Sequence, residues 1–257
     1  MLTNVRGLVD RLDLAPSRGL MPLFEAVSNA IDAIEEKYGS ATAGSITIKL
    51  LLSGDLARAG GDDTFVINGF EVVDDGVGFN ELNIACFGEA YTLSKIKVGG
   101  KGVGRFTFLK VFSHCDVSSV FERDGKHFAR NFNFSITEEL NGADKITPIH
   151  APTGTKLRVT GLANRYRVAW PTDPAIVAER IVAHFLIRFA ARSCPRRSSN
   201  LRGESRSTCT SYLTPRFSRT FKSASSMCMG IPLPSRRFAT GTVVLDTNIT
   251  CVPTAVM

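Results

Sequence analysis

Hydrophobic and polar positions change period several times along the chain, and each change marks an element. Leu20, Leu23, Val27, Ile31 and Ile34 recur at helical spacing, which predicts a helix over Leu20–Tyr38 with Gly39 as its stop. SITIKLLL, Ser45–Leu52, is rich in β-branched and apolar residues and predicts a strand. After a Gly/Asp-rich connection, TFVINGFEVVD is strand material again. Asn68-Gly69 inside it fits either a hairpin turn or an uninterrupted strand. A short helix is expected near Glu81–Phe87. A Gly-rich segment follows, then a helical stretch, GRFTFLKVF. Three further strands read as CDVSSVFE, KHFARNFNFS and TKLRVTGL, the first two joined by a turn at Asp124-Gly125. The last element is a helix from Pro174 to Ala191 with apolar residues at helical spacing.

These elements predict one α/β domain over residues 1–191. Periodicity then stops. RSCPRRSSNLRGESRSTCTSYLTPRFSRTFKSASSMCMG is rich in Ser and Arg and holds three of the six Cys. Two readings of residues 192–257 stand: a basic disordered tail, or a reading-frame shift near residue 195 that replaces the true continuation. The abrupt break after a well-formed amphipathic helix favours the second.

Charge follows the same division. The net charge is +7, of which the tail from Arg192 onward accounts for +8, leaving −1 for residues 1–191. A basic chain average therefore gives no reason to expect nucleic-acid binding by the body. The length of 257 residues is enough to bury a core without disulfides. The Cys form no Cys-x-x-Cys and the His do not cluster, which argues against a zinc site and suits a reducing cytoplasm. The N-terminus lacks the apolar core of a signal peptide, and no stretch is apolar enough to span a membrane.

Four stretches carry candidate chemistry. The first is the polar face of the Leu20–Tyr38 helix. At about 100° per residue, with Glu25 at about 0°, Asn29 falls at about 40°, Asp32 at about −20° and Glu36 at about 20°. The apolar residues gather at about 200°, on the opposite face. Such a stripe is commonly a solvated surface. Here, however, no Lys or Arg sits among the acids, and Asn is a poor helix former. An amide oxygen for Mg²⁺ and a carboxylate for a water suit a metal–phosphate site.

The second stretch is VVDDGVGFN, Val72–Asn80. An apolar strand delivers Asp74 at its end, and Gly76 and Gly78 permit a tight turn and a close approach to a flat ligand. A carboxylate there can accept a hydrogen bond from an exocyclic amine; alone, the stretch also reads as an Asp/Gly turn. The third is KVGGKGVGRFTF. It is neither a P-loop nor a dinucleotide fingerprint. Its backbone N–H groups can cradle phosphate as the chain enters a helix, or it is a plain linker. The fourth is PTGTKLRVTGL, in which Thr155 offers a hydroxyl at the start of a strand.

In this order and spacing the four stretches resemble the Hsp90-like ATPases: Hsp90, the MutL mismatch-repair proteins, type II topoisomerase ATPase domains and histidine-kinase catalytic domains. The resemblance covers roughly residues 15–165. It implies a two-layer α/β sandwich of the Bergerat type with a mixed, mostly antiparallel sheet. It implies that Glu25 is the general base, that Asn29 ligates Mg²⁺, and that Asp32 lies beside the nucleotide. Asp74 would bind the adenine amino group, with Asp75 in a free position, and Gly76 and Gly78 complete that box. Gly99, Gly102 and Gly104 match the lid over the phosphates, where Lys95, Lys97 and Lys101 could touch phosphate. Thr155 matches the residue that supports the adenine acid.

Within this family, histidine kinases usually carry Asn where this chain has Glu25, so the carboxylate points to the hydrolysing branch. Hydrolysing members bring a second domain whose Lys reaches the γ-phosphate. The region that should begin it is the aberrant tail. The expected function is therefore Mg-ATP binding and hydrolysis, with lid closure driving conformational change or homodimerisation in a longer parent protein. The alternative is a catalytically silent nucleotide-binding module truncated before its second domain. A client or partner protein is not indicated.

Overall fold

The structure, a computed structural model, describes residues 5–40, 43–54, 65–88, 104–171, 173–193, 215–221 and 239–245. Among them are five α-helices: α1 (Val5–Arg11), α2 (Met21–Tyr38), α3 (Glu81–Gly88), α4 (Phe106–Val111) and α5 (Pro174–Ser193). The strands are β1 (Ile46–Gly54), β2 (Phe65–Asp74), β3 (Phe112–Arg123), β4 (Lys126–Ser135), β5 (Glu139–Asn141), β6 (Ile146–Pro148), β7 (Gly154–Leu162), β8 (Pro215–Phe221) and β9 (Ala239–Leu245). They form one sheet in the order β5-β4-β3-β7-β2-β1-β9-β8, with β6 beside β4. Every described pairing is antiparallel, where a mixed but mostly antiparallel sheet was expected.

Helix α2 is built as its spacing requires. Pro22 lies in the first turn, where its missing N–H costs nothing. Gly39 closes the helix in the left-handed conformation (φ 74°), its N–H reaching the Glu35 carbonyl at 2.8 Å. Leu23, Val27, Ile31 and Ile34 are fully buried against the sheet. Helix α1 was not anticipated. It buries Val5 and Val9, one turn apart, and its end is held by the Lys110 ammonium, which donates to the Val9 carbonyl at 2.9 Å.

Asn68-Gly69 is not a hairpin turn. Strand β2 runs through it, and the register passes from Leu51↔Gly69 to Leu52↔Ile67, leaving Asn68 as the extra residue of a bulge. A side chain at Gly69 would overlap the Val159 carbonyl of β7. The Asp124-Gly125 turn between β3 and β4 is as expected, with φ of 53° and 71°.

The register gives the sheet two unlike faces. Ile48, Val72, Leu157, Val117 and Phe132 stand in one cross-strand row, and all are buried. The next row, on the opposite face, reads Lys49, Glu71, Arg158, Asp116 and Asn133. Its ends are joined by Lys49–Glu71 at 3.0 Å and Asn133–Asp116 at 2.9 Å. Helices α2 and α4 lie against β1, β2 and β3, and their buried residues share one core with the apolar row. In the Arg-rich tail, β8 and β9 form an antiparallel pair that continues the sheet along β1, with Ile46 opposite Leu245. Among the described residues no helix is long and apolar enough to cross a membrane.

Candidate functional site

The polar stripe of α2 is the centre of the site. Glu25, Asn29 and Asp32 are half-buried beside the core stripe, and Glu36 is exposed. At its start, the Glu25 carboxylate lies against Gly104: a Cβ built on Gly104 would overlap it. Gly104 sits in the turn that leads into α4. That turn is fixed by Thr107, whose N–H and hydroxyl donate to the Gly104 carbonyl at 2.9 and 2.5 Å. The expected general base and the end of the expected lid are thus brought together.

At the other end, the loop after β2 packs on α2. A Cβ on Gly76 would lie 2.6 Å from the Ala33 Cβ and 2.7 Å from its carbonyl carbon. The Val77 N–H donates to the Ala33 carbonyl at 3.2 Å. Between Glu25 and Ala33 the helix advances about 12 Å at its usual rise. Two glycine-bearing loops therefore bracket the row of Glu25, Asn29 and Asp32.

Asp74 ends β2 next to this loop. Its carboxylate accepts the Gly76 N–H at 2.9 Å and a backbone hydrogen bond from Thr155. Burial pushes its pKa up to about 7, and Asp75 pushes the same way. The two backbone bonds and Lys37 pull against them. Thr155 thus reaches Asp74 through its backbone, while its hydroxyl meets Ser119 Oγ at 3.3 Å.

The surroundings of VVDDGVGFN add to two expectations. Gly76 and Gly78 were expected to permit a tight turn and a close approach to a flat ligand; Gly78 does turn at positive φ, and on the side where a Cβ would stand it is the protein itself that comes close to both. Gly76 abuts α2. Gly78, at φ 76°, abuts the Val120 carbonyl and lies 2.9 Å from Ser119 Oγ, both measured to a built Cβ. Asp75 does not occupy a free position. It accepts the Ser45 N–H at 2.8 Å, and its carbonyl takes the Lys37 ammonium at 2.6 Å, tying the end of α2 to the start of β1. Gly99, Lys101 and Gly102, together with Lys95 and Lys97, lie outside the described residues.

Ser119 and Arg130 were missed. They continue the row that begins at Asp74: Asp74 faces Thr155, Thr155 faces Ser119, and Ser119 faces Arg130. Ser119 is buried, accepts the Phe79 N–H at 2.8 Å and donates to the Gly154 carbonyl at 3.1 Å. The signal for both was a break in alternation. Cys115, Val117 and Phe121 are the inward residues of β3 on either side of Ser119, and Phe132 and Phe134 follow Arg130 on β4. A polar residue at an inward position needs a partner.

Asn29 carries the one side-chain amide of this stripe, and Mg²⁺ typically takes few protein ligands and fills its shell with water and phosphate oxygens. Among the described residues no group of three or more His, Cys, Asp or Glu is placed to hold a metal ion by itself. Compared with known proteins, the chain matches no family model and no curated protein.

Proposed function

We propose that this chain binds Mg-ATP across the polar stripe of α2 and hydrolyses it. The observation that carries the reading is the bracketing of Glu25, Asn29 and Asp32 by Gly104 at one end and the Asp74–Gly78 loop at the other. The contacts of the two loops with α2 lie about 12 Å apart along the helix. In this reading the architecture is the Bergerat-type sandwich of the Hsp90-like ATPases, and each residue has a task. Asp74 accepts a hydrogen bond from the adenine amino group, and Thr155 holds that acid in place. Asn29 contributes to the Mg²⁺ shell, which supplies charge neutralisation at the phosphates. Asp32 lies beside the nucleotide. Gly99, Lys101, Gly102 and Gly104 close over the phosphates. Glu25 takes the proton from the attacking water.

Lid closure then couples turnover to conformational change, or to homodimerisation, in a longer parent protein. A cytoplasmic setting goes with this reading, since free thiols such as Cys86 and Cys115 persist there. Calorimetry with Mg-ATP beside a phosphate-release assay tests it. Wild type should bind and turn over, and Glu25→Ala should bind with turnover reduced by ~10²-fold or more, as for loss of a general base. An unchanged rate in Glu25→Ala would remove the base assignment. Binding by wild type without turnover would leave a nucleotide-binding module.

A further inference from the structure

Alternation along β4 puts Arg130 on the inward face with Phe132 and Phe134, and it is 3% exposed. A guanidinium at such a position is costly unless its donors are met. Nη1 donates to the Phe79 carbonyl at 2.7 Å and to the Asn80 carbonyl at 3.1 Å, and Nη2 donates to Glu81 Oε2 at 2.8 Å. The guanidinium lies over the Phe121 ring, 4.7 Å from its centroid. Nε is buried and meets no acceptor among the described residues. Replacing Arg130 alone would leave the Phe79 and Asn80 carbonyls and Glu81 without their donor. What the fork adds is direction: it grips three consecutive residues, 79 to 81.

Those residues are the far end of the loop that begins at Asp74. Earlier in the loop Gly76 abuts α2, and Ser119 accepts the Phe79 N–H just ahead of the carbonyls that Arg130 grips. Arg130 stands three strands from Asp74 in the sheet, about 14 Å at normal strand spacing, too far to touch the same ligand group. We propose that Arg130 is a positioning residue for nucleotide recognition, setting the Asp74–Asn80 loop through the Phe79 and Asn80 carbonyls. This rests on the nucleotide reading above, but the clamp itself can be tested without nucleotide.

The variants are Arg130→Met, which keeps bulk without donors, and Arg130→Lys, which keeps charge without the fork. Three measurements are made on the full chain: thermal unfolding, Mg-ATP affinity with GTP as competitor, and the ligand-free titration of the Asp74 carboxyl by NMR. Arg130→Met is expected to unfold cooperatively but at a lower temperature than wild type, since it leaves the Phe79 and Asn80 carbonyls unmet. It should lose at least tenfold in ATP affinity and much of its preference for ATP over GTP, and Asp74 should titrate at a lower pH as its loop opens to water. Arg130→Lys should fall between, and it carries the test if the Met variant does not fold. An Asp74 titration unchanged in the folded variant would overturn the clamp. An ATP affinity and ATP preference matching wild type would overturn its role in recognition. A wild type that binds no nucleotide would remove the nucleotide reading and with it the recognition role, while the Asp74 titration still decides the clamp.

Discussion

Asp74 is asked to do two things that conflict. Under the proposed nucleotide reading it accepts a hydrogen bond from an amine, which it does best when ionised, yet burial holds its pKa at about 7. The conflict fixes the sign of two effects. For an acid whose pKa is raised on folding from 3.8 to about 7, the folded state holds the proton while the unfolded state has lost it. The group's contribution to stability is therefore full below about pH 4 and is lost as pH rises through 7. Asp74→Asn should thus stabilise the fold at pH 8, by on the order of 2 kcal/mol after allowance for solvent near the half-buried group, and much less at pH 4. Urea unfolding at the two pH values checks this. The same variant should lose ATP binding, and wild-type affinity should rise between pH 6 and 8 as the carboxyl gives up its proton. A destabilised Asn variant at pH 8, or flat affinity across that range, would contradict the assignment.

At the scale of elements, α2 is both a wall of the core and the floor of the proposed site. One face buries Leu23, Val27, Ile31 and Ile34, while the other meets a glycine near each end of its polar row. The two glycines should respond differently to a methyl group. At Gly76 the added Cβ meets the α2 backbone at Ala33, which cannot move without the helix. Gly76→Ala should cost about 1–3 kcal/mol, as overpacking usually does, and lower the unfolding temperature. At Gly104 the Cβ meets the end of the Glu25 side chain, which can swing aside. Gly104→Ala should unfold near the wild-type temperature and bind Mg-ATP within a few-fold, but lose at least tenfold in turnover. Equal melting losses in the two variants would show that the neighbour's stiffness does not decide the outcome.

At the scale of the molecule, the described core runs from Val5 to Phe185 and joins residues of α1, α2, α4 and α5 to the inward rows of the sheet, with Ile84 and Phe87 of α3 packed against it. Strand β9 reaches this body through the edge of β1, whose inward residues Ile46, Ile48 and Leu50 are already buried within that core. Removal of residues 194–257 leaves α5 whole and should leave a cooperative unit that binds Mg-ATP with wild-type affinity. Scanning calorimetry and titration calorimetry check this. Loss of cooperative unfolding would mean that the β8–β9 pair belongs to the fold.

The sequence by itself determined what depends on near neighbours. Helical spacing gave α2 and its polar row, because a 3.6-residue period is a local property. Strand composition gave β4 with both ends correct, and Asp124-Gly125 gave its turn, because few residue pairs accept positive φ there. Helix α1 was lost because seven residues with two buried positions show no period. Only the tertiary structure decided what fills the space beside each glycine, why Asp74 is hard to ionise, and which residues hold its loop. Those outcomes depend on partners far along the chain. The Phe79 N–H finds Ser119 and its carbonyl finds Arg130, at separations of 40 and 51 residues. No local pattern encodes such a meeting; the register of β3, β4 and β7 against β2 does.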